Sequence, residues 1–300
     1  MRTHLSLSPS IFIPVNRQRT LDLTSMRELS NLKYWEYVFR IRLYKLIHPK
    51  TEKVRLSNAS GRLDSTRFIK CGPRVRFTEA RTMHYVASNT TIPVPRLLDV
   101  FKFKCNNVTY IIQEFIDCPV LEDVWYQLSE EDQLSSMKEL KGYLDQLRAL
   151  LPPDPQRVQA IDGGGCIDDR LNTVGEWGPF VTHYEFQMKF GYGVIEDNPE
   201  TYPEAREPLA KLRGRTWRTV LTHGDLGPHN ILWNVKEKRI AAIIDWECSG
   251  WLPEYWEYCR AGSFARMGCP SWWELFNKVV ETYPDEFMVE RLLDSYFGRV

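Results

Sequence analysis

The sequence lacks the features that mark membrane, secreted and general nucleic-acid-binding proteins. No apolar run approaches the ~20 residues that span a bilayer, and Pro9 and Pro14 break the N-terminal apolar patch, which makes a poor secretory signal. Lysine plus arginine equals aspartate plus glutamate at 39 each, so no excess of positive charge favours nucleic acid. We therefore expect a cytoplasmic protein whose partner is neither a membrane nor a nucleic acid.

Cysteines in a regular pattern are also missing. The seven cysteines form an odd number, and no two of them are spaced as in C-x-x-C. A disulfide framework or a zinc site is therefore not expected. Free cysteine is among the most often buried residue types, so all seven are expected to be buried free thiols.

The length and composition of the chain are typical of a globular protein. Its 300 residues suffice for two packed lobes, and 43% hydrophobic and 26% charged residues are ordinary proportions. Aromatic residues are abundant, with 10 Trp, 14 Tyr and 14 Phe. They indicate either a well-filled core or an aromatic-walled pocket.

The order of the predicted elements changes near residue 117. Before that point the pattern predicts helix, strand, strand, helix, strand and strand, at 26–47, 53–57, 66–70, 77–88, 97–103 and 108–116. Beyond it we predict helices and short strands, the helices at 128–151, 201–215 and the last 45 residues, and the strands at 219–222, 231–235 and 239–246. The predicted fold class is α+β. Its N-terminal lobe, 1–117, carries a helical extension and a small antiparallel sheet, and its C-terminal lobe, 118–300, is mainly helical.

The stretch from 222 to 247 carries the chemistry. Asp225 follows a short strand in a polar loop, Asn230 comes five residues later, and Asp245 lies at the end of a strongly apolar strand. Phosphoryl transfer needs one carboxylate to orient the acceptor hydroxyl, and an amide and a second carboxylate to hold Mg²⁺ through oxygen atoms. Because a hairpin would join the two strands, we expect Asn230 and Asp245 to lie side by side.

Two motifs in this stretch resemble a known family. H-G-D-L-x-x-x-N at 223–230 followed by I-D-W-E at 244–247 is similar to the aminoglycoside phosphotransferase and choline kinase-like family, especially its fungal branch. The resemblance covers roughly 50–262. It implies a protein kinase-like two-lobed fold and the transfer of the terminal phosphate of ATP to a hydroxyl of a small molecule, with Mg²⁺ as the metal.

The resemblance also implies a role for individual residues in the catalytic loop and the nucleotide lobe. It makes Asp225 the catalytic residue and assigns Mg²⁺ to Asn230 and Asp245. The segment R-F-I-K-C-G, 67–72, is similar to the family's nucleotide strand. The residues implied for ATP are Lys70 on the phosphates, Glu79 as its ion-pair partner, and the backbone of Glu114 and Ile116 at adenine.

The acceptor side is less specific. The family's cationic substrates suit carboxylates and aromatic faces, which makes Glu247, Trp251 and Glu254 candidates for a substrate pocket. The alternative is that this tryptophan-rich segment is a packed helix and turn. Asp168 and Asp169 lie in a loop expected near the acceptor.

Two histidines of the catalytic loop are assigned no part in the reaction. His223 is predicted to hold the loop rather than to act as a base, because Asp225 already supplies the acceptor group. His229 is predicted to be a loop residue without a chemical role.

Three other functions remain open. No glycine-rich phosphate loop is found, since 58–61 contains a single glycine, and this favours a catalytically silent kinase-like binding module. A protein kinase is disfavoured because H-G-D replaces H-R-D and neither D-F-G nor A-P-E occurs. A metal-dependent hydrolase could use His223, Asp225 and Asp245 without ATP.

Overall fold

The computed structural model of the chain describes residues 21–298, except 22, 34, 37, 40–42, 44–59, 73, 106–107, 169–175 and 264–267. The predicted strand at 53–57 and Asp169 lie outside the described residues. The chain divides into two compact units. One comprises Met1–Ala80 and Pro95–Phe115, and the other comprises Arg81–Val94 and Ile116–Val300.

A five-stranded sheet forms the first unit. Its strands are β1 Arg27–Leu29, β2 Gly61–Arg62, β3 Arg67–Gly72, β4 Leu97–Phe103 and β5 Thr109–Glu114. Their order across the sheet is β1-β4-β5-β3-β2. The predicted β4–β5 hairpin is confirmed by antiparallel pairing. All neighbours are antiparallel except β1, which pairs with β4 in parallel, so the sheet is mixed.

The strand β1 corrects the predicted helix at 26–47. Residues 27–29 are extended, and helical structure is found among the described residues of 31–39. Two charges of this edge strand pair with its neighbour: Arg27 binds Asp99 at 2.6 Å and Glu28 lies 3.1 Å from Lys102. These pairings across the sheet outweigh a helical propensity that is weak at the start of the segment.

The first unit also supplies the start of a helix, α1 Phe77–Asn89, as predicted. On β3 the side chains alternate, so Ile69 is buried in the sheet core while Lys70 is half-buried on the other face. Glu79 lies in the first turn of α1. Strand and helix thus bring a lysine and a glutamate that are nine residues apart onto the same side of the sheet.

The second unit is mainly helical. Its helices are α2 Leu121–Val124, α3 Glu130–Ala149, α4 His183–Gln187, a π-helix at Met188–Tyr192, α5 Gly193–Asp197, α6 Arg206–Leu212, α7 Trp256–Ser263, α8 Pro270–Val279 and α9 Pro284–Phe297. The start of α3 was predicted from Ser129, whose hydroxyl accepts a hydrogen bond from the Asp132 amide at 3.2 Å.

Two short antiparallel ladders in the second unit hold the predicted site. The strands are β6 Thr219–Thr222, β7 Ile231–Asn234, β8 Arg239–Ile243 and β9 Gly250–Pro253. β7 and β8 form the predicted hairpin, with Ile231 opposite Ile243. β6 pairs with β9, a strand that the sequence did not predict because G-W-L-P has no alternation and ends in proline.

Aromatic side chains fill the core of the second unit. Six tryptophans are almost completely buried: Trp125, Trp233, Trp246, Trp251, Trp256 and Trp272. Many of the aromatic residues therefore belong to a well-filled core. All seven cysteines are free thiols, as predicted, but the expectation that all are buried is wrong for three of them: Cys105 is exposed, and Cys71 and Cys118 are half-buried. Within the described ranges no helix is long and apolar enough to cross a membrane.

Candidate active site

His223 holds the loop that follows β6. Its Nδ1 accepts a hydrogen bond from the Asp225 amide at 3.3 Å, so the proton of the ring is on Nε2, which donates to the Ile244 carbonyl at 2.9 Å. The ring is completely buried and packs against Trp246. Because both nitrogens are used, His223 has a structural role, as predicted.

Gly224 makes the turn that presents Asp225. Its φ is +81°, in the left-handed region that favours glycine. A Cβ built here would lie 2.3 Å from the Cys248 carbonyl oxygen. The loop therefore runs so close to the backbone after β8 that only a residue without a side chain fits.

Three side chains surround the Asp225 carboxylate. Oδ1 accepts a hydrogen bond from Arg260 Nη2 at 2.9 Å, and Oδ2 accepts one from Asn230 Nδ2 at 3.0 Å. His229 Nε2 lies 3.3 Å from Oδ2. The side chain keeps 22% of its surface exposed, so a hydroxyl can still reach it.

The charge of Asp225 is set by opposing effects. Burial is the largest and raises the pKa of the carboxyl, but the hydrogen bond from His229 and the positive charge of Arg260 bring the pKa below its usual value. Asp225 is thus held as a carboxylate at neutral pH. An ionised carboxylate is the form that can accept a hydrogen bond from an acceptor hydroxyl.

The helix α7 supplies two charged groups that sequence reasoning did not assign to the loop. Glu257, 2% exposed, accepts hydrogen bonds from the amides of His223 at 2.5 Å and Gly224 at 3.2 Å. Burial is the main influence on this carboxyl and raises its pKa. Arg260 lies one turn further along the helix. The spacing E-x-x-R on a helix was the available signal, because it puts both groups on one face.

Asn230 and Asp245 are linked through the hairpin. The Ile244 amide donates to the Asn230 carbonyl at 2.9 Å, next to the Ile231–Ile243 pair. Asp245 takes a left-handed conformation with φ +66° and ψ 63°, which is uncommon for a residue with a Cβ and is found most often at functional sites.

The residues of this hairpin fit a magnesium ion. Asn230 uses its amide nitrogen to bind Asp225, which leaves its oxygen, Oδ1, for a cation. Asp245 adds a carboxylate, and Mg²⁺ commonly takes only one or two such protein ligands. Among the described residues no group of three or more His, Cys, Asp or Glu side chains is arranged to hold a metal.

In the first unit, the expected lysine–glutamate pair is present. Lys70 Nζ lies 3.0 Å from Glu79 Oε1, and the two side chains are 15% and 2% exposed. A carboxylate so deeply buried orients the ammonium group and compensates its charge. The pair therefore fixes the position of the Lys70 ammonium group.

Glu114 and Ile116 lie where β5 ends. The Glu114 amide donates to the Arg96 carbonyl at 2.9 Å, and the Ile116 carbonyl accepts from the Cys118 amide at 2.9 Å. The Ile116 amide has no hydrogen-bond partner within the described part of the chain. That N–H group remains able to donate to a ligand.

The three candidates for the substrate pocket have different surroundings. Trp251 is 2% exposed and exchanges two backbone hydrogen bonds with Gln159. Glu254 accepts hydrogen bonds from the amide and from Nε of Arg218, at 3.0 and 2.7 Å. Glu247 lies half-buried in the 3₁₀ turn that follows Asp245. Of the three, Glu247 is closest along the chain to the loop at 223–230.

A cavity of about 610 Å³ lies elsewhere in the second unit. Its walls come from α4, the π-helix, α6 and 213–217. None of the residues predicted for the site lines it. Thr216 and Trp217 in its wall precede β6, whereas His223 and Asp225 follow that strand, so the cavity is at the opposite end of β6 from the loop.

Together, the small mixed sheet with its lysine–glutamate pair and the helical unit with its catalytic-type loop define a protein kinase-like α+β fold. The model of the phosphotransferase enzyme family, APH, matches residues 73–284. The chain belongs to this family. Comparison with curated protein sequences gave no match.

Solved structures of similar fold are aminoglycoside phosphotransferases. A thermostable mutant of APH(4)-Ia in its apo form has a TM-score of 0.53 at 17% identity, over 83% of this chain and 86% of that one. APH(3'')-Id from Streptomyces rimosus, in complex with ADP and streptomycin, has a TM-score of 0.51 at 16% identity, over 84% and 96% of the two chains. Aminoglycoside 2'-phosphotransferase-IIIa, in its GDP complex, has a TM-score of 0.53 at 11% identity, over 86% and 89%. Identities this low establish the shared fold and nothing finer.

Proposed function

We propose that the protein transfers the terminal phosphate of ATP to a hydroxyl group of a small molecule in the cytoplasm. The observation that carries this proposal is the Asp225 carboxylate, ionised and partly exposed, hydrogen-bonded through Oδ2 to the asparagine of its own loop. That arrangement suits the orientation of a hydroxyl next to a metal-bound phosphate. Family membership supports the reaction class.

The proposed nucleotide contacts come from two places in the chain. Lys70, oriented by Glu79, neutralises phosphate oxygens of ATP. The backbone at the end of β5 binds adenine, with the Glu114 carbonyl accepting and the Ile116 amide donating. The amide of Ile116 is suited to this role because it makes no hydrogen bond within the described part of the chain.

The proposed metal ligands are Asn230, through Oδ1, and Asp245. Mg²⁺ bound there supplies charge neutralisation at the phosphates. Asp245 is held for this role by its left-handed backbone, and Asn230 by its two bonds to Asp225, at the carbonyl and at Oδ2. The same amide therefore ties the metal ligand to the catalytic carboxylate.

For the acceptor we propose a small hydroxylated molecule, with cationic compounds as the first to test. Structures of similar fold hold hygromycin B and streptomycin. In this chain, Glu247 is the first candidate to test as the anionic group for a cation, because its carboxylate lies in the turn directly after Asp245.

The test is a screen of hydroxylated small molecules for ATP consumption. Wild-type protein should consume ATP with at least one acceptor, and the Asp225→Asn variant serves as the blank. Because Asn is isosteric with Asp but cannot hold the negative charge, we expect folding to be retained and turnover to fall by at least about 100-fold. Equal consumption by the variant would contradict the role of Asp225.

A catalytically silent binding module is the second candidate. What favours it is the sequence at 58–61, which contains a single glycine where a phosphate loop would be glycine-rich. A thermal-shift measurement with ATP and Mg²⁺ separates the two functions. Stabilisation together with turnover supports the enzyme, and the absence of stabilisation at millimolar nucleotide supports the silent module.

A further inference from the structure

A buried arginine and a buried aspartate lie behind the catalytic loop. The Arg260 side chain is 5% exposed and that of Asp168 is 2% exposed. Arg260 Nη1 lies 3.7 Å from Asp168 Oδ1. Charges buried this deeply are costly unless they are paired, so an arrangement that keeps both has a structural or chemical reason.

The same arginine binds the loop at two points. Its Nε donates to the Gly224 carbonyl at 3.0 Å, and its Nη2 donates to Asp225 Oδ1 at 2.9 Å. The guanidinium group is planar and rigid, so bonds from two of its nitrogens fix both the backbone of the turn and the rotation of the Asp225 side chain. A lysine in this place could supply the charge but not this geometry.

These contacts distinguish the two oxygens of Asp225. Oδ1 is committed to Arg260. Oδ2 is directed to the other side of the group, where it accepts from Asn230 Nδ2 and lies 3.3 Å from His229 Nε2. Oδ2 is therefore the oxygen next to the proposed metal ligand, and the bond from Arg260 to Oδ1 keeps the two oxygens from exchanging places.

We propose that Arg260, itself held by Asp168, is a positioning residue that fixes the rotation of the Asp225 carboxylate and so the direction in which that carboxylate meets the acceptor hydroxyl. This inference rests on the proposed function. It gives Asp168, which precedes the segment 169–175, a place behind the catalytic loop rather than in the acceptor pocket. The arginine contacts neither nucleotide nor acceptor in this role, so it acts only through Asp225.

The experiment compares four variants with the wild type, in turnover assays and in crystal structures. Arg260→Met removes the donors at similar length, and Arg260→Lys keeps the charge. Asp168→Asn removes the anchoring charge. Because Arg260→Met alone leaves Asp168 buried without its cation and could unfold the protein, the double variant Arg260→Met/Asp168→Asn removes both charges together.

We expect Arg260→Met and the double variant, once shown to be folded, to lose about 100-fold in kcat, since displacement of a catalytic group by about 1 Å has an effect of that size. The KM for ATP should stay within about threefold, because the arginine does not touch nucleotide. Arg260→Lys should recover part of the loss, and Asp168→Asn should lose about 10-fold in kcat.

In the crystal structures the Asp225 carboxylate should rotate in each impaired variant. A merely structural role would alter stability without this split between kcat and KM.

Two results would overturn the inference. One is a folded double variant with kcat within threefold of the wild type. The other is an Asp225 carboxylate that keeps its rotation in the crystal structure of that variant. If the wild type itself transfers no phosphate, the proposed function fails, and the rotation of Asp225 in the crystal structures still decides whether Arg260 positions it.

Discussion

At the scale of single residues, the backbone conformation of Gly224 determines where the Asp225 carboxylate lies. The residue combines a φ of +81° with a close approach to the Cys248 carbonyl. Either condition alone disfavours a side chain. Together they mean that a residue with a Cβ can avoid neither the strained φ nor the clash. The turn therefore depends on glycine for reasons of both strain and space.

We predict that Gly224→Ala destabilises the protein by about 3 kcal/mol, from left-handed strain plus the clash with Cys248. Gly214→Ala is the matched control. Gly214 has a φ of +77°, but nothing lies within 4 Å of the Cβ position, so only the strain of about 1 kcal/mol should appear. Urea unfolding of the two variants measures the difference. Equal losses would show that the contact with Cys248 can relax.

Residue roles differ in how far the sequence could predict them. The family resemblance implied the pairing of Lys70 with Glu79, and the structural role of His223 was inferred because Asp225 already supplies the acceptor group; the pair and the hydrogen bonds of His223 are both present. His229 and Arg260 were missed as partners of Asp225. The contact of His229 depends on the tight 3₁₀ turn at 228–230, and that of Arg260 on how α7 packs under the loop. Neither arrangement is determined by local sequence.

At the scale of elements, α7 holds the loop that contains His223, Gly224 and Asp225. Its N-terminal half presents Glu257 to two loop amides, and its next turn presents Arg260 to Gly224 and Asp225. Backbone amides buried without an acceptor are strongly unfavourable, so the helix satisfies groups that the loop cannot satisfy by itself.

We predict that Glu257→Ala lowers the free energy of unfolding by about 3 kcal/mol, because it leaves the amides of His223 and Gly224 without their acceptor. Glu257→Gln keeps a carbonyl oxygen at nearly the same place and should lose about 1 kcal/mol. Chemical denaturation of both variants at pH 7 gives the comparison. If the glutamine variant were the less stable of the two, the negative charge rather than the acceptor oxygen would be the important feature.

The elements themselves show what patterns can predict. The hairpin β7–β8 was predicted because two apolar strands flank a polar turn, and the helix α3 because Ser129 and acidic residues mark its start. β1, β2 and β9 were not predicted. Each is short and has its strand conformation set by the neighbouring strand, β4, β3 or β6, rather than by its own residues.

At the scale of the whole molecule, the residues proposed for ATP and those proposed for transfer belong largely to different compact units. Lys70 and Glu79 are in the first unit, and Asp225, Asn230 and Asp245 are in the second. The sequence predicted a boundary at residue 117. The structure assigns Arg81–Val94 to the second unit, because Met83, Val86 and Ile92 are buried in its core. Burial of this kind depends on long-range packing, which periodicity does not reveal.

This division predicts that nucleotide binding and phosphate transfer can be separated by mutation. Saturating ATP and Mg²⁺ should raise the melting temperature of the wild type by roughly 5 °C, from about 2.7 kcal/mol of ligand stabilisation at 100-fold excess over Kd. Lys70→Met should lose most of that shift. In this variant the buried Glu79 carboxylate is left without its lysine, and a negative group cannot attract phosphate. Asp225→Asn should keep the shift and lose turnover, since Asp225 is not among the proposed nucleotide ligands.

Lys102→Met is the control for charge alone, because Lys102 is also a strand lysine paired with a glutamate, at 3.1 Å from Glu28. Its shift with ATP should equal that of the wild type. A Lys70→Met protein that is stabilised as strongly as the wild type would remove the lysine from the nucleotide site. If the Lys70 and Asp225 variants both lost the shift equally, both units would respond to nucleotide as one cooperative structure. The reason is that a substitution changes the stabilisation by a ligand only if it changes the affinity for that ligand.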